Sequence, residues 1–198
     1  MIARLGDDNI RIRLREAVDA EGLNNFGRIP DWDAIRISIS PNLPQYAGRT
    51  IADIAAERGI DGFWTALDYI VEDHGQTRVL VSSISEQDVK DFLRSPDVMI
   101  GSDGNSVAPH GTTGQGKPHP RFYGTFAKVL GQYSRDEELV PLHAAIWKMT
   151  GASTRALGLK NRGLLREGYA ADITIFDPVT VAERATYEDP HSFAAGID

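Results

Sequence analysis

Residues 97–104, which read Asp-Val-Met-Ile-Gly-Ser-Asp-Gly, are the stretch on which the fold prediction rests. Their apolar run is bounded by Pro96 and Gly101, as is typical of a short strand buried in a parallel sheet. Asp103 would then follow the carboxyl end of that strand, the end at which parallel α/β folds bind ligands. Ser-Asp-Gly is also a common turn sequence, so a structural interpretation stays open at this point.

A strand and a helix precede this stretch and predict a parallel crossover. Residues 77–82 (Thr-Arg-Val-Leu-Val-Ser) are rich in β-branched side chains, and Ser85 with Asp88 marks a helix start. Strand, helix and strand in this order predict a parallel βαβ unit, with residues 97–101 as its second strand. A further strand is predicted at residues 34–39, where apolar and polar side chains alternate.

Periodicity and capping residues predict the other elements. Thr50 and Asp53 form an acidic version of a capping box, and Gly158 is a helix stop. Helices are predicted at 8–20 (ending at Gly22), from Thr50, at 61–73, from Ser85, and at 122–134, 141–150 and 152–158. Between them lies a long loop at 104–121. Two strands are predicted at 162–167 and 172–176 around a glycine turn.

Composition excludes several classes of protein. The 198 residues carry a net charge of −7 with no basic block, which argues against a nucleic-acid partner. There is no cysteine, so disulfides and cysteine-ligated zinc are excluded within the chain. We expect no membrane-spanning segment and no signal peptide, and the absence of disulfides is compatible with a cytoplasmic protein.

Two further segments contain candidate residues. Pro118 and Pro120 stiffen the end of the long loop and would hold His119 and Arg121 in fixed directions. Arg121 offers a planar fork suited to a carboxylate, although a solvated arginine leading into a helix is the simpler interpretation. The third segment, 163–177, is predicted to be a hairpin-like β unit and suggests no chemistry by itself.

Together these segments resemble the C-terminal half of the N-acyl-D-amino-acid deacylases, or D-aminoacylases, of the metal-dependent amidohydrolase superfamily. The resemblance is best from 97 to 191. It rests on Ser102-Asp103-Gly104, on His-Pro-Arg-Phe-Tyr-Gly-Thr-Phe at 119–126, on Lys-Met-Thr at 148–150, on Gly-Tyr-Ala-Ala-Asp at 168–172 with Phe-Asp-Pro at 176–178, and on Pro190-His191.

The resemblance implies an α/β fold. Residues 1–160 would be the last units of a (β/α)8 metallo-hydrolase barrel followed by helices, with 41–76 as an insertion covering the active site. Residues 161–198 would supply strands of a small C-terminal β-sandwich domain, which in this family is built from both chain termini.

The resemblance also implies roles for individual residues. Asp103 matches the aspartate after the eighth barrel strand, which is the general base and lies at the metal. Arg121 matches a position that grips the substrate carboxylate, and Ser38, Ser40 and Arg49 lie near the other substrate contacts. The complete enzyme would use zinc to cleave N-acyl-D-amino acids.

The histidines depart from the family pattern. The family needs a His-x-His and two further histidines, whereas this chain has His74, His110, His119, His143 and His191, with no pair spaced by two. His74 and His143 are predicted to be structural or solvated, and His110 to be able to touch a ligand from the loop. The chain alone is therefore expected to bind zinc weakly and to be inactive, with the missing barrel half or a second copy as partner.

Two other functions remain open. The chain could be a non-catalytic, degenerate amidohydrolase-like domain that acts as a binding or assembly module. It could also be an α/β domain that binds a small anion at its glycine-rich loop, which would leave the order of the motifs unexplained.

Overall fold

A computed structural model describes residues 2–21 and 31–197. Contacts divide the chain into two units, each with its own apolar core. Unit 1 comprises Met1–Ile84 and His110–His119, and unit 2 comprises Ser85–Pro109 and Pro120–Asp198.

The described residues of unit 1 form four α-helices, and two of them, α3 and α4, begin at capping side chains. Thr50 and Asp53 form the predicted capping box at the start of α3, and the Asp61 side chain accepts from the Phe63 amide at the start of α4. The helices are α1 (Ile2–Leu5), α2 (Asp8–Glu21), α3 (Ile51–Arg58) and α4 (Gly62–Glu72). Short 3-10 turns cover Trp32–Ala34, Pro44–Tyr46 and Thr112–Gly114. The helix stop predicted at Gly22 lies outside the described residues.

The two strands of unit 1 pair antiparallel. Strand β1 (Ile35–Ile39) lies beside β2 (Arg78–Val81), with Ile35 opposite Val81 and a register shift between Ile37 and Ile39. Both strands fall where the sequence predicts them, but the parallel crossover predicted from residues 77–82 to 97–101 is wrong. Periodicity identifies extended segments, whereas their partners are chosen by tertiary packing that the pattern does not encode.

The core of unit 1 holds β1 against α3 and α4. Its buried side chains are Ile37, Ile51, Ile54 and Tyr69. The ring of Tyr46 packs edge-on against Tyr69 at 5.7 Å. This packing fixes the loop between β1 and α3, which carries two of the candidate residues.

Unit 2 is helical at its centre. It contains α5 (Glu86–Arg94), α6 (Arg121–Lys128), α7 (Leu142–Met149) and α8 (Gly151–Ala156), and α6 continues into a π-helix at Val129–Asp136. Ser85 accepts from the Asp88 amide at the start of α5, and Gly158 is left-handed after α8, both as predicted. Leu93, Val129, Tyr133, Val140 and Ala145 form its main core.

Residues 97–101 do not form a strand, contrary to the prediction. Asp97 lies in a turn, and exposure alternates along the rest of the segment, since Val98 and Ile100 are half-buried while Met99 is exposed. Its hydrogen bond from the Ile100 amide goes to the Lys148 carbonyl at 3.3 Å. A strand requires a neighbouring ladder, and none of the described residues provides one here.

The strands predicted at 162–167 and 172–176 are likewise absent from the described structure. Residues 157–179 are mostly exposed, and their apolar side chains include Leu165 (83% exposed), Ile173 (61%) and Ile175 (67%). An isolated bridge joins Phe176 to Ile197. Apolar and polar side chains alternate in the sequence of residues 172–176, but most of the segment has no hydrogen-bonded partner strand among the described residues. It therefore does not form a strand.

Among the helices of the described residues, none is long and apolar enough to cross a bilayer.

Candidate functional site

Asp103 lies in the stretch without regular secondary structure that follows α5. Its side chain is 87% exposed, and its backbone is left-handed with φ 47°. That conformation is unfavourable by about 1 kcal/mol for a residue other than glycine, although Asp tolerates it better than most residues. Gly104 follows directly, and a Cβ at this position would lie 3.3 Å from the Phe122 Cα, so a larger residue would crowd the backbone of α6.

Arg121, the first residue of α6, makes two contacts with Asp103. One guanidinium nitrogen lies 2.9 Å from Oδ2 of the carboxylate, and Nε donates to the Asp103 carbonyl at 3.0 Å. The arginine side chain is 40% exposed, and an ion pair this exposed contributes about 0–1 kcal/mol to stability. The structure therefore brings together two residues that the sequence placed 18 positions apart.

The start of α6 is held by contacts to the C-terminal tail. The Tyr123 hydroxyl lies 3.0 Å from Nδ1 of His191, and the Tyr123 ring packs edge-on against Phe193. Burial raises the pKa of Tyr123. The Thr125 hydroxyl donates back to the Arg121 carbonyl at 3.0 Å. These contacts fix the backbone from which the Arg121 side chain projects.

The other three candidate residues, Ser38, Ser40 and Arg49, belong to unit 1. Ser38 is 5% exposed and donates to the Lys117 carbonyl at 2.8 Å. Ser40 is 4% exposed. Arg49 pairs with Glu57 and stacks 5.3 Å from the centre of the Tyr46 ring. Their assignment to substrate binding stays a prediction.

A buried carboxylate in unit 1, Asp73, was not singled out from the sequence. It is 0% exposed and accepts from the Asn42 amide at 2.8 Å and from the Thr77 hydroxyl at 2.6 Å. Burial pushes its pKa up, but the donors from Thr77 and Asn42 outweigh burial, and the net pKa lies below its ordinary value. The residue anchors the end of α4 to the loop after β1. Its sequence signal, an Asp beside a His-Gly turn, is typical of an exposed helix end.

Unit 2 also contains a buried charged residue, Lys148, for which the sequence motif 148–150 predicts no role. Lys148 on α7 is 4% exposed, and its ammonium donates to the carbonyls of Leu93 and Ser95. It lies three positions after the fully buried Ala145, so helical spacing places it on the core side of α7. That spacing is the signal that would have found it.

The side chains in the described residues do not fit a metal centre. Across residues 2–21 and 31–197, no three His, Asp or Glu side chains converge in a way that could hold an ion. His74, His110 and His143 are exposed, and His119 and His191 are half-buried. A zinc site in proteins normally has three or four protein ligands, so this part of the chain would need donors from elsewhere.

Comparison with known proteins gives consistent matches. The chain matches the profile of the amidohydrolase family over residues 2–196. It is 43% identical over 154 residues to the D-aminoacylase of Alcaligenes xylosoxydans xylosoxydans, covering 78% of this chain and 29% of that protein. The chain thus spans roughly a third of the length of the curated relatives it matches.

Two solved structures extend the comparison. A D-aminoacylase structure concerned with the role of its binuclear metal center is 41% identical, with a TM-score of 0.68, covering 82% of this chain and 32% of that one. The N-acyl-D-glutamate deacylase of Bordetella bronchiseptica, complexed with zinc and a phosphonate mimic of the tetrahedral intermediate, is 30% identical with a TM-score of 0.73. That match covers 96% of this chain and 41% of the deacylase.

Proposed function

This chain belongs to the amidohydrolase family, and from that premise we propose that it is the C-terminal part of a zinc-dependent hydrolase of N-acyl-D-amino acids. The products would be a D-amino acid and a carboxylate. The observation that carries the proposal is the exposed Asp103 carboxylate beside the guanidinium of Arg121. The names of its relatives, D-aminoacylase and N-acyl-D-glutamate deacylase, support the substrate class.

The chemistry assigned to Asp103 is proton transfer. Its carboxylate would accept a proton from the water that attacks the amide carbon, and would then deliver that proton to the nitrogen of the departing amine. Exposure suits this role, because a carboxylate that is saturated by internal donors would be a poor base. Left-handed backbone at residue 103 also fits, since such conformations cluster at active sites.

Arg121 would bind the α-carboxylate of the substrate. A guanidinium has five N–H donors in a planar fork, and it can bridge two carboxylates. Its contacts with Asp103 would then set the distance between the bound amino acid and the base. Ser38, Ser40 and Arg49 are proposed as further substrate contacts, from the resemblance of the segments that contain them.

The fold proposal follows the same reasoning. Residues 1–160 would complete a (β/α)8 barrel, with 41–76 covering its active site, and residues 161–198 would join a small β-sandwich. The exposed apolar side chains of residues 157–179 favour pairing with a strand from another segment or chain. Covering them would stabilise the assembly by ~25 cal/mol for each Å² of apolar surface removed from water. The partner would be the N-terminal barrel half of the enzyme or a second copy of the chain.

Most ligands of the proposed zinc ion would come from residues outside the described part of the chain. The donor set of the described residues does not fit a metal site by itself. From the resemblance, Asp103 is the residue that we expect this part of the chain to contribute. A metal site assembled from two polypeptide segments would make zinc affinity depend on their association.

A non-catalytic module is the second candidate. Two observations favour it: the incomplete set of metal donors in the described residues and the exposed apolar segment 157–179, which suits a binding or assembly surface. In that case the chain would associate with a partner without turnover.

An activity assay separates these functions. We define the hybrid enzyme as the Alcaligenes D-aminoacylase with its matching segment replaced by this chain. With zinc and N-acetyl-D-amino acids, the hybrid enzyme should hydrolyse the D substrate, whereas N-acetyl-L-amino acids serve as the control and the isolated chain should be inactive. Robust turnover by the isolated chain would refute the incomplete site, and a folded, inactive hybrid enzyme would favour the module.

A further inference from the structure

Lys148 belongs to α7, and its buried ammonium group lies at the C-terminal end of helix α5. The residue is 4% exposed, and its ammonium donates to the Leu93 carbonyl at 2.8 Å and also to the Ser95 carbonyl. These carbonyls belong to the last turn of α5, where helical carbonyl groups lack intrahelical partners and the helix dipole favours a positive charge. Burial lowers the pKa of Lys148 below its ordinary value, and the charge of Asp97 offsets part of that effect.

The main chain of the same residue holds the segment that follows α5. The Lys148 carbonyl accepts from the Ile100 amide at 3.3 Å, three residues before Asp103. The Ile100 side chain packs against the core cluster that contains Leu93 and Ala145. Lys148 therefore contacts both ends of the stretch 93–100, through its side chain at the start and its backbone at the end.

A simple packing role does not explain a lysine at this position. Burying an amine without full hydrogen bonding costs several kcal/mol, whereas a methionine of similar length would fill the space without that penalty. The stretch 97–101 is not in a ladder within the described structure, so few polar contacts set its course. At its far end, Arg121 Nε donates to the Asp103 carbonyl.

We propose that Lys148 is a positioning residue that, by holding Leu93, Ser95 and Ile100, sets where the Asp103 carboxylate is presented. The proposal rests on the catalytic role proposed for Asp103. Loss of the ammonium would let residues 95–103 shift while the helices around them stay folded.

Hydrogen exchange measured by NMR on the chain itself tests this proposal. In Lys148→Met, we expect the Ile100 amide to exchange about tenfold faster or more, and the Arg121 Nε–H signal to shift or broaden. Amides in the core of unit 2, such as those of Val129 and Ala145, should keep their wild-type rates. Lys148→Arg should restore the Ile100 rate to within about threefold, because a guanidinium also donates to carbonyls.

Two controls belong to the same unit. Lys90→Met removes a lysine of α5 whose ammonium lies 2.9 Å from the Glu137 carboxylate, and it should leave both readouts unchanged. The Arg135 Nε–H, which donates to Asp136 at 2.7 Å, should be unaffected in every variant. If Lys148→Met does not fold, Lys148→Gln, which keeps a polar donor, is judged by the same two signals.

Two results would overturn the proposal. One is an Ile100 rate within about twofold of wild type in Lys148→Met, or in Lys148→Gln where the Met variant does not fold. The other is uniform acceleration across unit 2, which would make Lys148 a general stabiliser. Neither readout needs turnover, so failure here leaves the proposed function to the hybrid enzyme assay, and an inactive hybrid enzyme would leave the exchange result standing.

Discussion

Two aspartates, one in each unit, have opposite surroundings. Asp73 in unit 1 is fully buried and accepts from Asn42 and Thr77. Asp103 in unit 2 has an 87% exposed side chain, a left-handed backbone and a partially exposed arginine beside it. The first carboxylate is arranged to stabilise the fold, and the second is arranged to be accessible. The contrast teaches that burial together with several internal donors marks a structural acid, whereas an exposed carboxylate with a single charged partner is a candidate base.

The largest effect on stability is expected from Asp73→Asn. The substitution replaces an acceptor carboxylate by an amide whose NH2 group faces donors, and hydrogen bonds to a buried charge contribute about 1.5–3 kcal/mol each. We expect the free energy of unfolding to fall by about 3 kcal/mol. Urea denaturation in a Trp147→Phe background reports on unit 1 through Trp32 and Trp64. A loss of unfolding free energy below about 1 kcal/mol would mean that Asp73 stabilises the fold little more than Asp103 does.

Lowering the pH should reduce the difference in unfolding free energy between wild type and Asp73→Asn. The folded-state pKa of Asp73 is lowered, so its stabilising contribution is present above the ordinary carboxyl pKa of about 4 and is lost as pH falls through the folded-state value. The gap in unfolding free energy between wild type and Asp73→Asn should therefore narrow between pH 7 and pH 3. A gap that widens on acidification would mean that the folded-state pKa is raised.

A smaller loss is expected from Thr77→Val. The change removes one hydroxyl that donates to Asp73 at 2.6 Å and preserves the shape of the side chain. Stability should drop by about 1–2 kcal/mol, because the Asn42 amide still donates to the carboxylate. Thr125→Val, on α6 of unit 2, is the matched control and should leave unit 1 unchanged in the same urea titration.

Asp103→Asn should have the smallest effect on stability. Its exposed ion pair with Arg121 contributes little, and Asn tolerates left-handed backbone as well as Asp does. We expect the unfolding free energy of unit 2, followed by Trp147 fluorescence, to stay within about 0.5 kcal/mol of wild type. A loss comparable to that of Asp73→Asn would make residue 103 a structural acid.

Local signals in the sequence predicted the helices well. Thr50 with Asp53 and Ser85 with Asp88 start helices as expected, because caps act through hydrogen bonds within one turn. The matches to a D-aminoacylase and to an N-acyl-D-glutamate deacylase confirm the resemblance to the N-acyl-D-amino-acid deacylases. That resemblance could be found from the sequence because it rests on short local motifs.

Pairing and burial were harder to predict. Strands β1 and β2 were located correctly, yet their antiparallel pairing depends on contacts between residues about 40 or more positions apart, from Ile39 with Arg78 to Ile35 with Val81. The segment 97–101 has the pattern of a buried strand but no ladder within the described residues. Helical spacing from Ala145 indicates the buried side of α7 for Lys148, but the carbonyl of Leu93 that accepts from Lys148 lies 55 positions away, and Asn42 lies 31 positions from Asp73, so the sequence pattern does not reveal these hydrogen bonds.

The most direct test of the account is the rate at which the hybrid enzyme hydrolyses an N-acetyl-D-amino acid, with Asp103 intact and with Asp103→Asn. Loss of a general base typically lowers kcat by about 10²–10⁴-fold, and we predict a decrease in that range with the unfolding free energy unchanged. Turnover by the Asp103→Asn hybrid enzyme within about twofold of the unsubstituted one would contradict the role assigned to this carboxylate.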